Sequence, residues 1–159
     1  MSKRKRVSLK EYCDGMLKHI FSSHYKDFAN VLLDACGPTF RNGIDREWYL
    51  LNLHAAIIQL LGVTFSRTLK NYDQRFEALS YRDAFLKETG QKEIESLYSE
   101  YNQAFGSDPV DGVRAMAKLF ARNCSVDFVE TKSIEEIHYN AFYEVLRTFF
   151  DNIKTVKIV

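Results

Sequence analysis

From Trp48 to Leu79 the chain keeps one three-four rhythm: Trp48, Leu51, Ala55, Ile58, Gly62, Phe65, Leu69, Tyr72, Phe76 and Leu79. Side chains three and four apart share a face only on an α-helix, so the spacing predicts a helix. Over residues 46–79 it would run about 50 Å at 1.5 Å per residue. Gly62 costs about 1 kcal/mol inside such a helix. The phase survives across it, so the expectation is one long helix, continuous or kinked at Gly62. A second apolar row, Leu50, Leu53, Ile57 and Leu61, marks the N-terminal half for burial on most sides. The C-terminal half is one-sided, with Arg67, Lys70, Asn71, Gln74 and Arg75 directed elsewhere.

The rest of the chain reads as shorter helices. Ser8 and Glu11 have capping-box spacing ahead of Leu9, Tyr12, Met16 and Ile20. The pattern is open to a break at Ser22-Ser23 and resumes through Phe28, Val31, Leu32 and Ala35. Gly37-Pro38 ends it, and residues 37–45 read as a loop. Tyr81 to Thr89 is a short helical piece closed by Gly90. Ile94, Leu97, Tyr98, Tyr101 and Phe105 line the next helix. Asp108-Pro109 predicts a restart, with Val110, Val113, Met116, Ala117 and Phe120 inward. Residues 126–129 alternate like a short strand with no visible partner. Ser133 and Glu136 repeat the capping-box spacing before a last helix that is apolar around most of its girth, and 155–159 read as extended. The expected fold is all-α, a single compact helical bundle of about five to seven helices with one long central helix. It would occupy residues 8–159 behind a flexible basic arm, 1–7.

That arm follows from charge. Residues 1–10 hold Lys3, Arg4, Lys5, Arg6 and Lys10 and no acid, five of the 22 cations against 21 acids in the chain. The remaining 17 cations and 21 acids give a net of −4. A body of that sign lacks the positive field of a dedicated nucleic-acid-binding fold. No uninterrupted apolar run reaches the roughly 18 residues of a membrane span. The longest, Leu50 to Val63, is broken by Asn52, His54, Gln59 and Gly62. Cys13, Cys36 and Cys124 form no CxxC pair, and an odd thiol count without a signal-like segment points to a reducing, cytoplasmic setting.

No catalytic constellation stands out: GxSxG, P-loop, HExxH and GxGxxG are all missing from the sequence. Five candidates remain, most of them beside a plainer reading. His54, one or two turns from Glu47 on the second apolar row, could mark a ligand or haem pocket, or be a packed core histidine. Glu135 and His138 have the Glu-x-x-His spacing of carboxylate metal bundles, but a single copy builds no metal site. His19 and His24, five apart, fall on different faces. Arg114, Lys118 and Arg122 form a ridge at i, i+4, i+8. With Lys3, Arg4, Lys5 and Arg6 it is the candidate contact for an anion or nucleic-acid backbone, or a solvated face. Phe65, Leu69, Tyr72, Phe76 and Leu79 are the candidate partner interface.

Three functions follow. The leading one is a non-enzymatic interaction or regulatory module that forms a homodimer or docks another protein, with no cofactor and no metal. The second is a helical subunit binding nucleic-acid backbone through arm and ridge. The third is a helical domain with an apolar small-molecule or haem pocket near His54.

Overall fold

A computed structural model describes residues 3–159. Among them are eight helices and two three-residue strands, in the order β1 (Lys5–Val7), α1 (Leu9–Ile20), α2 (Ser23–Cys36), α3 (Pro38–Gly43), α4 (Arg46–Thr68), α5 (Tyr72–Glu88), α6 (Lys92–Ser107), α7 (Gly112–Asn123), α8 (Thr131–Ile153) and β2 (Val156–Ile158). The chain is an all-α bundle with one helix more than the upper expected count.

The axis of the bundle is α4, which touches α1, α2, α5, α6, α7 and α8. Its residues from Ala55 to Phe65 are all buried. By length and composition α4 could cross a membrane, with a mean hydropathy of 1.4, but 78% of that window is buried inside the bundle. Neighbouring helices supply the apolar surroundings that its composition demands. Asp45 opens it, its carboxylate accepting from the Trp48 amide at 3.0 Å.

Gly62 does not interrupt α4, but the expected helix over 46–79 is corrected at Leu69–Asn71. The hydroxyls of Thr64 and Thr68 bond back to the carbonyls of Leu60 and Thr64 at 2.9 and 2.6 Å, which weakens a helix from within. Leu69 is extended. Asn71 then caps a new helix, accepting from the Asp73 amide at 2.8 Å. The apolar phase carries across because Leu69 stays buried in the link. Periodicity reports which residues face the core, not whether the backbone is continuous.

Other boundaries move for similar reasons. Residues 38–43 coil into α3, with Pro38 in its first turn. The Asp108 carboxylate accepts from the amides of Val110 and Asp111 at 2.9 and 3.0 Å. That turn delays the start of α7, and Asp111 becomes its cap, accepting from the Arg114 amide at 3.0 Å. Gly112 is required there, since a Cβ would fall 2.7 Å from the carbonyl oxygen of Phe105. The last helix starts at Thr131, ahead of the Ser133–Glu136 box. Residues 126–129 are not a strand, and Phe128 takes a left-handed φ of 66°. At the other end the Ser8–Glu11 capping box forms in both directions, each bond 3.1 Å.

Within the expected flexible arm, Lys5–Val7 is ordered as β1. It pairs in parallel with β2, Lys5 against Val156, Arg6 against Lys157 and Val7 against Ile158. Met1 and Ser2 lie outside the described residues.

Candidate functional site

In the N-terminal half of α4, Asn52 belongs to a polar network that is closed upon itself. Asn52, fully buried, accepts through Oδ1 from the Tyr101 hydroxyl (2.8 Å) and from Asn123 Nδ2 (3.1 Å), and it donates to the Trp48 carbonyl (3.0 Å). The Trp48 indole donates to the Asn123 carbonyl at 2.8 Å. Beside this network lies His138. Its Nδ1 is 2.8 Å from the Ile134 carbonyl, which can only accept, so Nδ1 carries the proton. Nε2 therefore accepts from the Tyr49 hydroxyl at 2.7 Å. Phe120 stacks on the imidazole with centroids 4.2 Å apart. Burial pulls the imidazole down to about 4, which holds the ring neutral. Both ring nitrogens are thus engaged within the core. Glu135 meanwhile faces Arg114 at 3.1 Å, so the Glu-x-x-His pair does not converge.

The expected cationic ridge is also undone. The Arg114 guanidinium bonds Glu135 and Glu136 (3.1 and 2.6 Å) and lies 3.6 Å over the Tyr139 ring. The Tyr139 hydroxyl donates to the α7 cap Asp111 at 2.7 Å. Arg114 is a clasp between α7 and α8, and its charge is compensated. Lys118 and Arg122 remain exposed on α7.

His54 is half-buried, 4.8 Å from the Phe21 ring. Its Nε2 has no partner among the described residues. Desolvation, with Lys26 nearby, pulls it down to about 4. It lines none of the clefts described below. His19 and His24 do meet, stacked at 5.0 Å, because the chain turns between α1 and α2. Burial pushes the thiols of Cys13 and Cys124 up to about 12 and that of Cys36 to about 11, so none is a ready nucleophile.

The five residues of the expected interface separate. Phe65 and Leu69 are core, 1% and 6% exposed. Tyr72 and Phe76, one turn apart on α5, are 76% and 64% exposed. Leu79, one turn further, is half-buried and lines a groove of about 280 Å³ between α4, α5 and α6. Val63, Arg67, Tyr98 and Phe105 share that groove, with Arg67 5.6 Å over the Phe105 ring. Gln59 and Gly62 also line it. The Gln59 amide donates to Asn102 at 3.1 Å, but its buried Oε1 has no partner among the described residues.

One charged residue here gave no sequence signal. Arg82 is only 4% exposed, and its guanidinium donates to the Tyr98 hydroxyl (2.6 Å) and to Asp83 (2.9 and 3.0 Å) while stacking 4.1 Å over the Tyr98 ring. Gly62 makes room for it, since a Cβ there would lie 3.3 Å from Nη1. A lone arginine among exposed charges reads as surface. Only the pairing of α5 with a glycine on α4 buries it.

The groove offers aromatic and aliphatic walls, an exposed aromatic lip and a few polar groups. It contains no nucleophile–base pair. Comparison with family models, with curated proteins and with solved structures finds no match to this chain.

Proposed function

We propose that the chain is a non-enzymatic helical interaction module that self-associates or docks another protein through α5. The observation that supports this most is the exposure of Tyr72 and Phe76 side by side, continuous with the half-buried Leu79 and the α4–α6 groove. Two large rings in water one turn apart represent apolar area that a covering surface would remove from solvent. Interfaces favour aromatic anchors of this kind beside arginine, and Arg67 lies at the groove. A second copy of the chain is the simplest cover, since two-fold pairing is the commonest assembly. Sedimentation over a micromolar concentration series tests it. The expected result is a concentration-dependent dimer that Phe76→Asp dissociates. A species that stays monomeric throughout, with Phe76→Asp indistinguishable from the parent, removes self-association and leaves only a different partner.

A further inference from the structure

The corner where the α4–α5 link meets the ribbon brings together cations from three distant stretches of chain. Arg4 precedes β1, Lys70 sits in the link, and Lys154 caps α8. All three are exposed, and all three border one groove of about 500 Å³. Its other lining includes Leu69, Ile153, Val156 and Ile158, buried or half-buried side chains that form an apolar floor beneath the cationic rim. No carboxylate lines it. Among the described residues none lies within ion-pair distance of Arg4, Lys70 or Lys154.

Part of this positive charge has a local reason. The C-termini of α4 and α8 both end here, and each helix terminus carries about half a negative charge. Together they offset about one of the three cations, leaving an excess of about two. On the ribbon, Arg6 and Lys157 are registered together one residue out of step with Val156 and Ile158, so that pair faces away from the groove. Two other clefts differ. Asp83 and Glu95 share theirs with Arg82 and Lys87, and Glu100 shares its cleft with Arg122.

We infer that this groove binds a free single-chain anionic amphiphile, a carboxylate or phosphate head on an alkyl tail. The rim would hold the head through charge-assisted hydrogen bonds, and the floor would cover the first part of the tail. Nucleic acid fits less well. The groove is concave and lined by aliphatic side chains, with no aromatic ring on which a base could stack. The groove shares no lining residue with the α5 docking face and does not depend on that reading.

The test is calorimetric titration with decanoate below its micelle concentration. Controls are decyltrimethylammonium, which has the same tail and the opposite head, and acetate and inorganic phosphate, which have no tail. Phosphatidylserine-containing vesicles and a DNA duplex complete the set. One saturable decanoate site is expected, weakening as salt rises. It should weaken about tenfold or more in Lys70→Gln/Lys154→Gln, the scale of losing charged hydrogen bonds. Both lysines are exposed, so the variant keeps its fold, and circular dichroism checks this. No decanoate binding, equal binding of the cationic amphiphile, or acetate or phosphate matching decanoate would each overturn the inference. So would an unchanged affinity in the double variant. Binding to vesicles alone, or a duplex that outcompetes decanoate, would reassign the corner to a membrane surface or to nucleic acid.

Discussion

Asn52 and Gln59 are two buried amides on one face of the same helix, and they live in different chemistry. Around Asn52 every neighbour returns a hydrogen bond, and α4, α6 and α7 are locked to one another. Around Gln59 one oxygen is unanswered, the adjoining groove is open, and the next helix shows its rings to water. A buried polar network that is complete specifies a fold, whereas one that is incomplete costs stability. The first half of α4 is therefore where the bundle is held together. The second half is where spare surface collects: the α5 lip, the Gln59 groove, and the cationic corner.

The sharpest way to break that contrast is to remove one amide at a time. Asn52→Leu strands the buried Tyr101 hydroxyl and the Asn123 amide, and urea unfolding should show a loss of about 4 kcal/mol. A loss under about 1 kcal/mol would mean the network is ornamental. Acid is the next lever, because it strikes the same half. His138 binds its proton near 4 in the folded chain and near 6.5 when unfolded. Its contribution is complete above pH 6.5 and declines as pH falls from there towards 4. At full burial the swing is about 3 kcal/mol. His54 acts in the same direction and window, reduced by its exposure, so His54→Gln should leave most of the slope. A urea midpoint that stays flat from pH 6.5 to 4.5 contradicts this.

Gln59→Leu should go the other way. It deletes an unanswered carbonyl, and Asn102 is exposed and can turn to water. Stability should hold or rise by about 1 kcal/mol. A clear destabilisation would show that the oxygen is satisfied by an ordered water. Phe76→Asp should be the mildest, within about 0.5 kcal/mol for the monomer as surface changes usually are. Its effect belongs in the sedimentation profile.

Much of this contrast can be traced in the chain, but not its meaning. Asn52, His54, Gln59 and Gly62 visibly interrupt the apolar run of α4. Each proves to be distinct: a hub, a ring packed on Phe21, an incomplete amide and a seat for Arg82. Local spacing cannot say which neighbour answers a side chain, because Tyr101, Asn123, Phe21 and Arg82 come from other elements. The all-helical class was legible because periodicity is local. The break at Leu69–Asn71 was not, since burial kept its phase through the link, and Asn71 with Asp73 was the one cap signal there. The ridge Arg114, Lys118 and Arg122 is regular on α7, yet its first member belongs to Glu135 and Glu136 on α8. The basic residues Lys3 to Arg6 were plain in the sequence. Their company with Lys70 and Lys154 depends on β2, which alternates too briefly to announce a partner at the opposite end of the chain.

The ribbon sets an order of assembly. Lys5 and Val156 are separated by about 150 residues, and closing a loop of that length in a disordered chain costs about 4 kcal/mol or more. Three strand pairs and the Val159 amide on the Val7 carbonyl, at 3.0 Å, cannot meet that cost alone. The bundle must first bring α1 beside α8, where the Tyr12 hydroxyl reaches Asn152 at 2.7 Å. Closure of β1 onto β2 therefore follows the docking of α1 beside α8. The cationic groove, with one wall built from that ribbon, is complete only once the two ends of the chain have met.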